Sequence, residues 1–227
     1  MMRQQYQQID LDRPVFGEVW RILGDVGSGK NTLAVEFIRM MARTCVHKVL
    51  IEEECPLCLK WNISQEERTL KVYANFEITL PGVECHFMTV GDFIAIRPSR
   101  KHQLWIIDEP DAWGFDSRRA MTQANVDIGK KIKQCRHYNA DTLILSQLNS
   151  MIDPRGRRLG DMIFALGADR QNFSYILYID GKEIPVTLPW RWAKENIFPY
   201  YDTTTIIGDD FEELVTVTES NDGMITV

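Results

Sequence analysis

Residues 24–32 read GDVGSGKNT. A glycine-rich turn that closes on a lysine can point successive backbone N–H groups and a helix N-terminus at an anion as dense as a nucleoside triphosphate. The flanks agree with that use. Gly17–Leu23 (GEVWRIL) is short, apolar and β-branched as a strand is, and Lys30–Arg43 sets Leu33, Phe37 and Met40/Met41 at helical spacing. Strand, glycine loop and helix together restrict the chain to α/β architectures in which strands and helices alternate around a parallel sheet.

The pattern that cradles nucleotide phosphates is G-x-x-x-x-G-K followed by Ser or Thr. Gly24, Gly29 and Lys30 hold its fixed positions, and Asp25, Val26, Gly27 and Ser28 fill the loop. Lys30 is placed to reach the β- and γ-phosphates. Asn31 stands where the hydroxyl belongs, with Thr32 next. That hydroxyl normally completes Mg²⁺ coordination, and asparagine offers a neutral carbonyl oxygen about one atom longer. Either Asn31 or Thr32 supplies the ligand with adjusted geometry, or metal binding weakens and nucleotide is held but turned over slowly.

A second anchor lies about 80 residues on, the interval at which an acidic partner for a phosphate loop is expected. LWIID (Leu104–Asp108) is a continuous apolar run, as in a strand buried on both faces, and it closes on Asp108 and Glu109. Asp108 is placed to hold Mg²⁺ through water, and Glu109 to orient and deprotonate an attacking water. Other strands are expected at KVLIEEE (Lys48–Glu54), around LKVYANFEI, at DTLILSQ (Asp141–Gln147) and at DMIFALGAD. NFSYILYID and KEIPVTLP pair through a hairpin at Asp180-Gly181. TVGDFIAI reads as a helix capped by Thr89, and ANVDIGKKIKQCRHY as a second. The expected fold is therefore α/β: a mostly parallel sheet flanked by helices, with an antiparallel C-terminal edge hairpin. Residues 1–207 read as one domain with a cysteine-containing insertion near 55–70, and 208–227 as an acidic tail.

Charge and cysteine content narrow the setting. The net charge of −6 conceals a basic middle, since Lys and Arg outnumber Asp and Glu between Arg97 and Arg158, while the last stretch, GDDFEELVTVTESNDGMITV, has acids and no base. No apolar run reaches the roughly 18 residues of a spanning helix, and the N-terminus has no apolar signal-like core, so a cytoplasmic protein without membrane contact is expected. An odd count of five cysteines argues for reduced thiols. Cys55 and Cys58 have the spacing of half a zinc site, which Cys85 with His86, or His47, could complete; buried thiols are the alternative.

Together, GDVGSGKNT, LWIIDEPDAWGFDSR and KQCRHYNADTLILSQLNSMIDPRGR resemble the HerA/FtsK superfamily of P-loop ATPases, in particular its zonula occludens toxin-like and viral genome-packaging branch. The resemblance spans Gly17 to Ala168. It implies a RecA/FtsK-like P-loop NTPase fold, ATP and Mg²⁺ as cofactors, assembly into a homo-oligomer such as a ring, and ATP-driven movement or extrusion of double-stranded DNA, with capsid or portal proteins as partners. By the same resemblance Lys30 is the phosphate-binding lysine, Asp108 the metal-holding acid, Glu109 the catalytic base and Gln147 the γ-phosphate sensor. One of Arg118, Arg119 and Arg136 acts as a finger in a neighbouring subunit. The chain departs from the group at Asn31 and in having no C-terminal membrane helix of the toxin-like phage members, which favours a packaging or translocation motor over a tethered extrusion protein. In such a ring, Lys130, Lys131 and Lys133 or Arg155, Arg157 and Arg158 would meet DNA phosphates without reading bases; the other reading of KKIK is the exposed face of a helix.

Two further functions stay open on the sequence. One is a nucleotide-binding assembly or scaffold protein in which Asn31 makes turnover negligible. The other is a small-molecule kinase, against which Glu109 and Gln147 argue, since they suit water activation rather than an acceptor pocket.

Overall fold

A computed structural model describes residues 17–43, 53–60, 62–116, 118, 122–169, 171–179 and 181–201. Most of the expected strand at Lys48–Glu54, together with His47, Arg119, Asp180 and the acidic tail, lies outside the described residues. The chain builds one eight-stranded sheet from β1 (Val19–Leu23), β2 (Leu70–Ala74), β3 (Glu84–Phe87), β4 (His102–Asp108), β5 (Ala140–Ser146), β6 (Asp161–Ala168), β7 (Asn172–Ile179) and β8 (Lys182–Pro189). Its order is β3-β2-β4-β5-β1-β6-β7-β8. The strands from β3 to β6 are parallel, and β7 and β8 extend the sheet antiparallel, joined by the expected hairpin.

The three central strands are the apolar runs of the sequence. β1, β5 and nearly all of β4 are buried, as strands covered on both faces must be. Alternate side chains divide the core into two layers. Trp20, Ile22, Leu104, Ile106, Leu143 and Leu145 face one layer, and Val19, Leu23, Trp105, Ile107 and Ile144 the other. Helices α1 (Lys30–Ala42) and α6 (Trp190–Asn196) cover the first face. Short helix α2 (Pro56–Lys60) follows α1. Helices α3 (Val90–Ala95) and α4 (Gln123–Lys133) cover the second face, and α5 (Pro154–Arg157) packs on α4. β7, by contrast, alternates buried and half-buried residues, as a strand with one wet face does.

Local chemistry sets several element ends. The cap at Thr89 is a full capping box: its hydroxyl accepts from Asp92 N (3.2 Å) and Asp92 accepts from Thr89 N (2.9 Å). The single helix read from ANVDIGKKIKQCRHY is in fact two pieces, because α4 ends at Lys133 and a 3₁₀ turn, Cys135–Tyr138, carries the chain into β5.

Lys131 corrects a sequence expectation. Its ammonium is buried, donates to Ile94 O (2.9 Å) and Ile96 O (2.7 Å), and sits over the rings of Phe93, Trp105 and Tyr138. The cation caps the carbonyl end of α3 and is held by ring quadrupoles in place of water. Burial, with the charge of Arg97, brings its pKa down to about 8. Lys131 is an internal strut and no part of an exposed helix face.

Candidate functional site

The glycine loop leaves β1 at the C-terminal edge of the parallel sheet, where open α/β sheets place their ligands. Gly24 N donates to Ser146 O (3.2 Å), fixing the loop's entry against β5. Gly29, at φ +88°, caps α1, and a Cβ there would fall 2.5 Å from the Phe173 ring and 2.8 Å from the Tyr175 hydroxyl. Only glycine serves at that position, on both counts. Tyr175 on β7 donates its hydroxyl to Gly29 O at 3.0 Å, so the antiparallel extension of the sheet buttresses the loop.

Lys30 is buried, and its Nζ donates to Gly24 O (2.9 Å) and Asp25 O (3.0 Å), clasping the loop that precedes it. Asn31 is buried too, and its Nδ2 donates to Asp108 Oδ2 at 2.9 Å. Thr32 turns elsewhere: its hydroxyl shares a buried 2.8 Å hydrogen bond with that of Tyr201. The structure thus brings Asn31, rather than Thr32, to the acid at the end of β4.

Asp108 closes β4 and Glu109 follows it, and β5 separates that strand from β1. Burial pushes the Asp108 carboxyl above its ordinary pKa against the opposing pull of Asn31 and Lys30. Its other oxygen, Oδ1, is buried with no hydrogen-bond partner among the described residues. Glu109 lies in the left-handed region at φ +45°, uncommon for a residue with a side chain. Its N–H is tied to Leu145 O (3.0 Å), and the nearby Gln147 side chain favours the charged form of its carboxyl. Burial first, and then the charge of Asp108, raises the Glu109 pKa, while Lys30 opposes the shift. A partly buried carboxylate beside an amide and a lysine has the character of a general base.

One supporting residue had no signal in the sequence. Asn75, just past β2, accepts from Asp108 N and donates to Asp108 O, both at 2.7 Å. Its amide imitates one further residue of strand pairing and so pins the peptide on which Asp108 and Glu109 turn. Nothing in LKVYANFEI marks that asparagine, because the pairing that brings it to β4 is a matter of register.

The remaining expected residues are dispersed. Arg118 lies on the loop after β4, with its side chain 78% exposed and paired to Asp116 at 3.0 Å. Arg136 sits at the far end of the sheet: its Cβ lies 2.2 Å from where a Cβ on Gly17 would stand, and Gly17 precedes β1 whereas the loop follows it. Cys55 and Cys58 are buried thiols packed with Ile63, and Cys85 lies on edge strand β3. Among the described residues no three His, Cys, Asp or Glu side chains gather into a metal-holding group, so the zinc set of Cys55, Cys58 and Cys85 is not brought together. No helix among them is long and apolar enough to cross a membrane.

Neither the models of known protein families nor the curated proteins gave a match to this sequence. Solved structures did. The N-terminal domain of zonular occludens toxin from Neisseria meningitidis is similar at a TM-score of 0.55 and 14% identity, over 83% of this chain and 100% of that domain. The genome packaging NTPase B204 of Sulfolobus turreted icosahedral virus 2, solved with ATP-gammaS, matches at a TM-score of 0.42 and 12% identity, over 77% of this chain and 98% of that one. A KaiC-like protein from Pyrococcus horikoshii matches at 0.43 and 13%, over 77% and 85%. Sheet order, loop geometry and the similarity to the toxin domain agree: the chain has the mostly parallel α/β fold of the P-loop NTPases, with an antiparallel hairpin at one edge of the sheet.

Proposed function

We propose that the protein is an ATP-hydrolysing DNA translocase, a motor that packages or extrudes a viral or phage genome. The observation that carries the reading is the convergence of Lys30, Asp108, Glu109 and Gln147 at the C-terminal ends of the three adjacent strands β1, β5 and β4. In it, the loop amides and the N-terminus of α1 receive the triphosphate, and Lys30 exchanges the carbonyls of Gly24 and Asp25 for phosphate oxygens. Glu109 takes a proton from the attacking water, which Gln147 helps to orient, and ADP and phosphate leave. Mg²⁺, if bound, would supply neutralisation of phosphate charge. Asp108, whose buried Oδ1 has no hydrogen-bond partner among the described residues, would hold that ion, as would the side-chain carbonyl of Asn31 with its amide turned about.

DNA as cargo and assembly into a ring are supported by the resemblance of the three sequence segments and by the basic middle of the chain. The reading places the protein in the cytoplasm, with capsid or portal proteins as partners, and assigns the finger in trans to Arg118 or Arg119, which follow the acids in the sequence. A second reading, a nucleotide-gated scaffold with little turnover, is favoured by the Asn31–Asp108 contact, which seats an amide donor against the metal-holding acid.

Steady-state ATP hydrolysis with Mg²⁺, with and without double-stranded DNA, separates the two. In the motor reading Asn31→Ser raises turnover, Glu109→Ala removes it and DNA stimulates it. Absence of hydrolysis in both the parent chain and Asn31→Ser, whatever the DNA, leaves only the scaffold. The same assay tests Asn75. Asn75→Ala should lower kcat by about 10- to 100-fold with a smaller change in KM, because it displaces the acids by a fraction of an ångström without touching the loop. An unchanged kcat would mean that Leu145 alone fixes Glu109.

A further inference from the structure

Between Arg97 and Arg158 the structure sorts the cations. Lys131 is internal, Lys101 is held by Glu66 and Glu84, and Arg100, Arg118 and Arg155 are paired with Glu67, Asp116 and Asp153. Arg157 is half-buried, with its carbonyl taken by the Arg21 guanidinium. Apart from Arg119, which lies outside the described residues, five remain: Arg97, Lys130, Lys133, Arg136 and Arg158 are exposed and form no ion pair with another described residue.

These five are neighbours around the 3₁₀ turn Cys135–Tyr138, on the side of the sheet remote from the glycine loop. Lys130, Lys133 and Arg136 follow one another at three-residue steps down α4 and into the turn. Arg97 is bound to the turn through Gln103, whose amide donates to Arg97 O (3.1 Å) and Tyr138 O (2.8 Å). Arg136 is pressed against Gly17 at the start of β1. Arg158 arrives from the other side, next to Leu159 and Gly160, which share a cleft of about 280 Å³ with Lys133. β4, β5, β1 and β6 all begin at this end of the sheet, so the row spans four strands, roughly 14 Å at the usual strand spacing. Two acids lie in the same cleft, Glu18 and Asp161; the second already attends the Arg21 guanidinium.

We infer that this surface is the contact for the backbone of duplex DNA, a non-specific site distinct from the nucleotide site. The assignment rests on the translocase reading and gives the cargo a location. Exposed cations without an ion-pair partner among the described residues suit phosphates spaced along a duplex, and at this end of the sheet they keep nucleic acid clear of the hydrolytic acids.

The test is the binding of a labelled duplex to the full chain between about 50 and 200 mM salt, for the parent and for the combined variant Arg97→Ala, Lys133→Ala and Arg158→Ala. ATP binding is measured in parallel as a control for folding, since none of the three touches the glycine loop. The variant should retain ATP, bind duplex at least about tenfold more weakly in low salt, and lose roughly three from the slope of log affinity against log salt. If the parent binds duplex and the variant matches it in affinity and slope, the surface is elsewhere and the translocase reading survives. If the parent binds no duplex in low salt, with or without nucleotide, surface and translocase reading fall together.

Discussion

Replacing Glu109 by glutamine is expected to lower ATP turnover by about 10²- to 10⁴-fold, the usual worth of a general base, while ATP binding stays close to that of the parent. Glutamine preserves the length of the side chain and leaves the backbone at φ +45° tied to Leu145. What it removes is the capacity to accept a proton. Lys30 and the loop, which hold the phosphates in the proposed mechanism, are untouched. The parent chain should also show an acid limb in kcat above the ordinary pKa of 4.5, since burial and Asp108 together raise Glu109. Single-turnover hydrolysis across pH reads both effects. If the variant keeps full turnover, the water is activated by another group, and the base assignment is wrong.

The largest effect on stability is expected far from the chemistry. Gly160 lies at φ +66°, and a Cβ there would stand 1.4 Å from Val19 O. That carbonyl belongs to a central strand, while Arg21 holds Gly160 O at 3.1 Å, so neither side can give way. Gly160→Ala should cost about 4 kcal/mol or more, among the severest outcomes of a single substitution, against a total stability of about 5–15 kcal/mol. Melting should fall by roughly 10 °C for a chain of this size. Gly181→Ala is the comparison, because Gly181 has a similar φ of +74° with nothing near its missing Cβ. It should lose only the backbone strain, about 1–2 kcal/mol. Equal losses at the two sites would show that the contact with Val19 relaxes.

The glycine loop and the acid pair were legible because each depends on local requirements: residues that permit a tight turn, a lysine at one position, an apolar run that ends in carboxylates. The strand preceding the loop and the hairpin at the edge were legible for the same reason. What escaped depends on register between distant segments. Asn75 matters only because β2 lies beside β4, and Tyr175 and Tyr201 only because the C-terminal elements fold back over α1. Lys131 misleads for a related reason. In KKIK it has the look of a solvated lysine, and its cage draws Phe93, Trp105 and Tyr138 from three separate segments. β3 was missed because ECHF is half exposed and short, with no alternation to betray it.

The place of β1 in the sheet also sets the order in which the molecule can be made. The strand is early in the chain, yet its partners are β5 and β6, so Val19 pairs with Thr142 and Leu23 with Phe164. A ribosome working from the N-terminus releases VWRIL long before either partner exists. Contacts of such sequence separation form late and leave apolar segments open in the meantime. The phosphate loop, hung on β1, can take shape only after most of the chain has been synthesised. A truncated product that stops short of β6 would therefore carry the whole nucleotide signature and still be unable to hold a nucleotide.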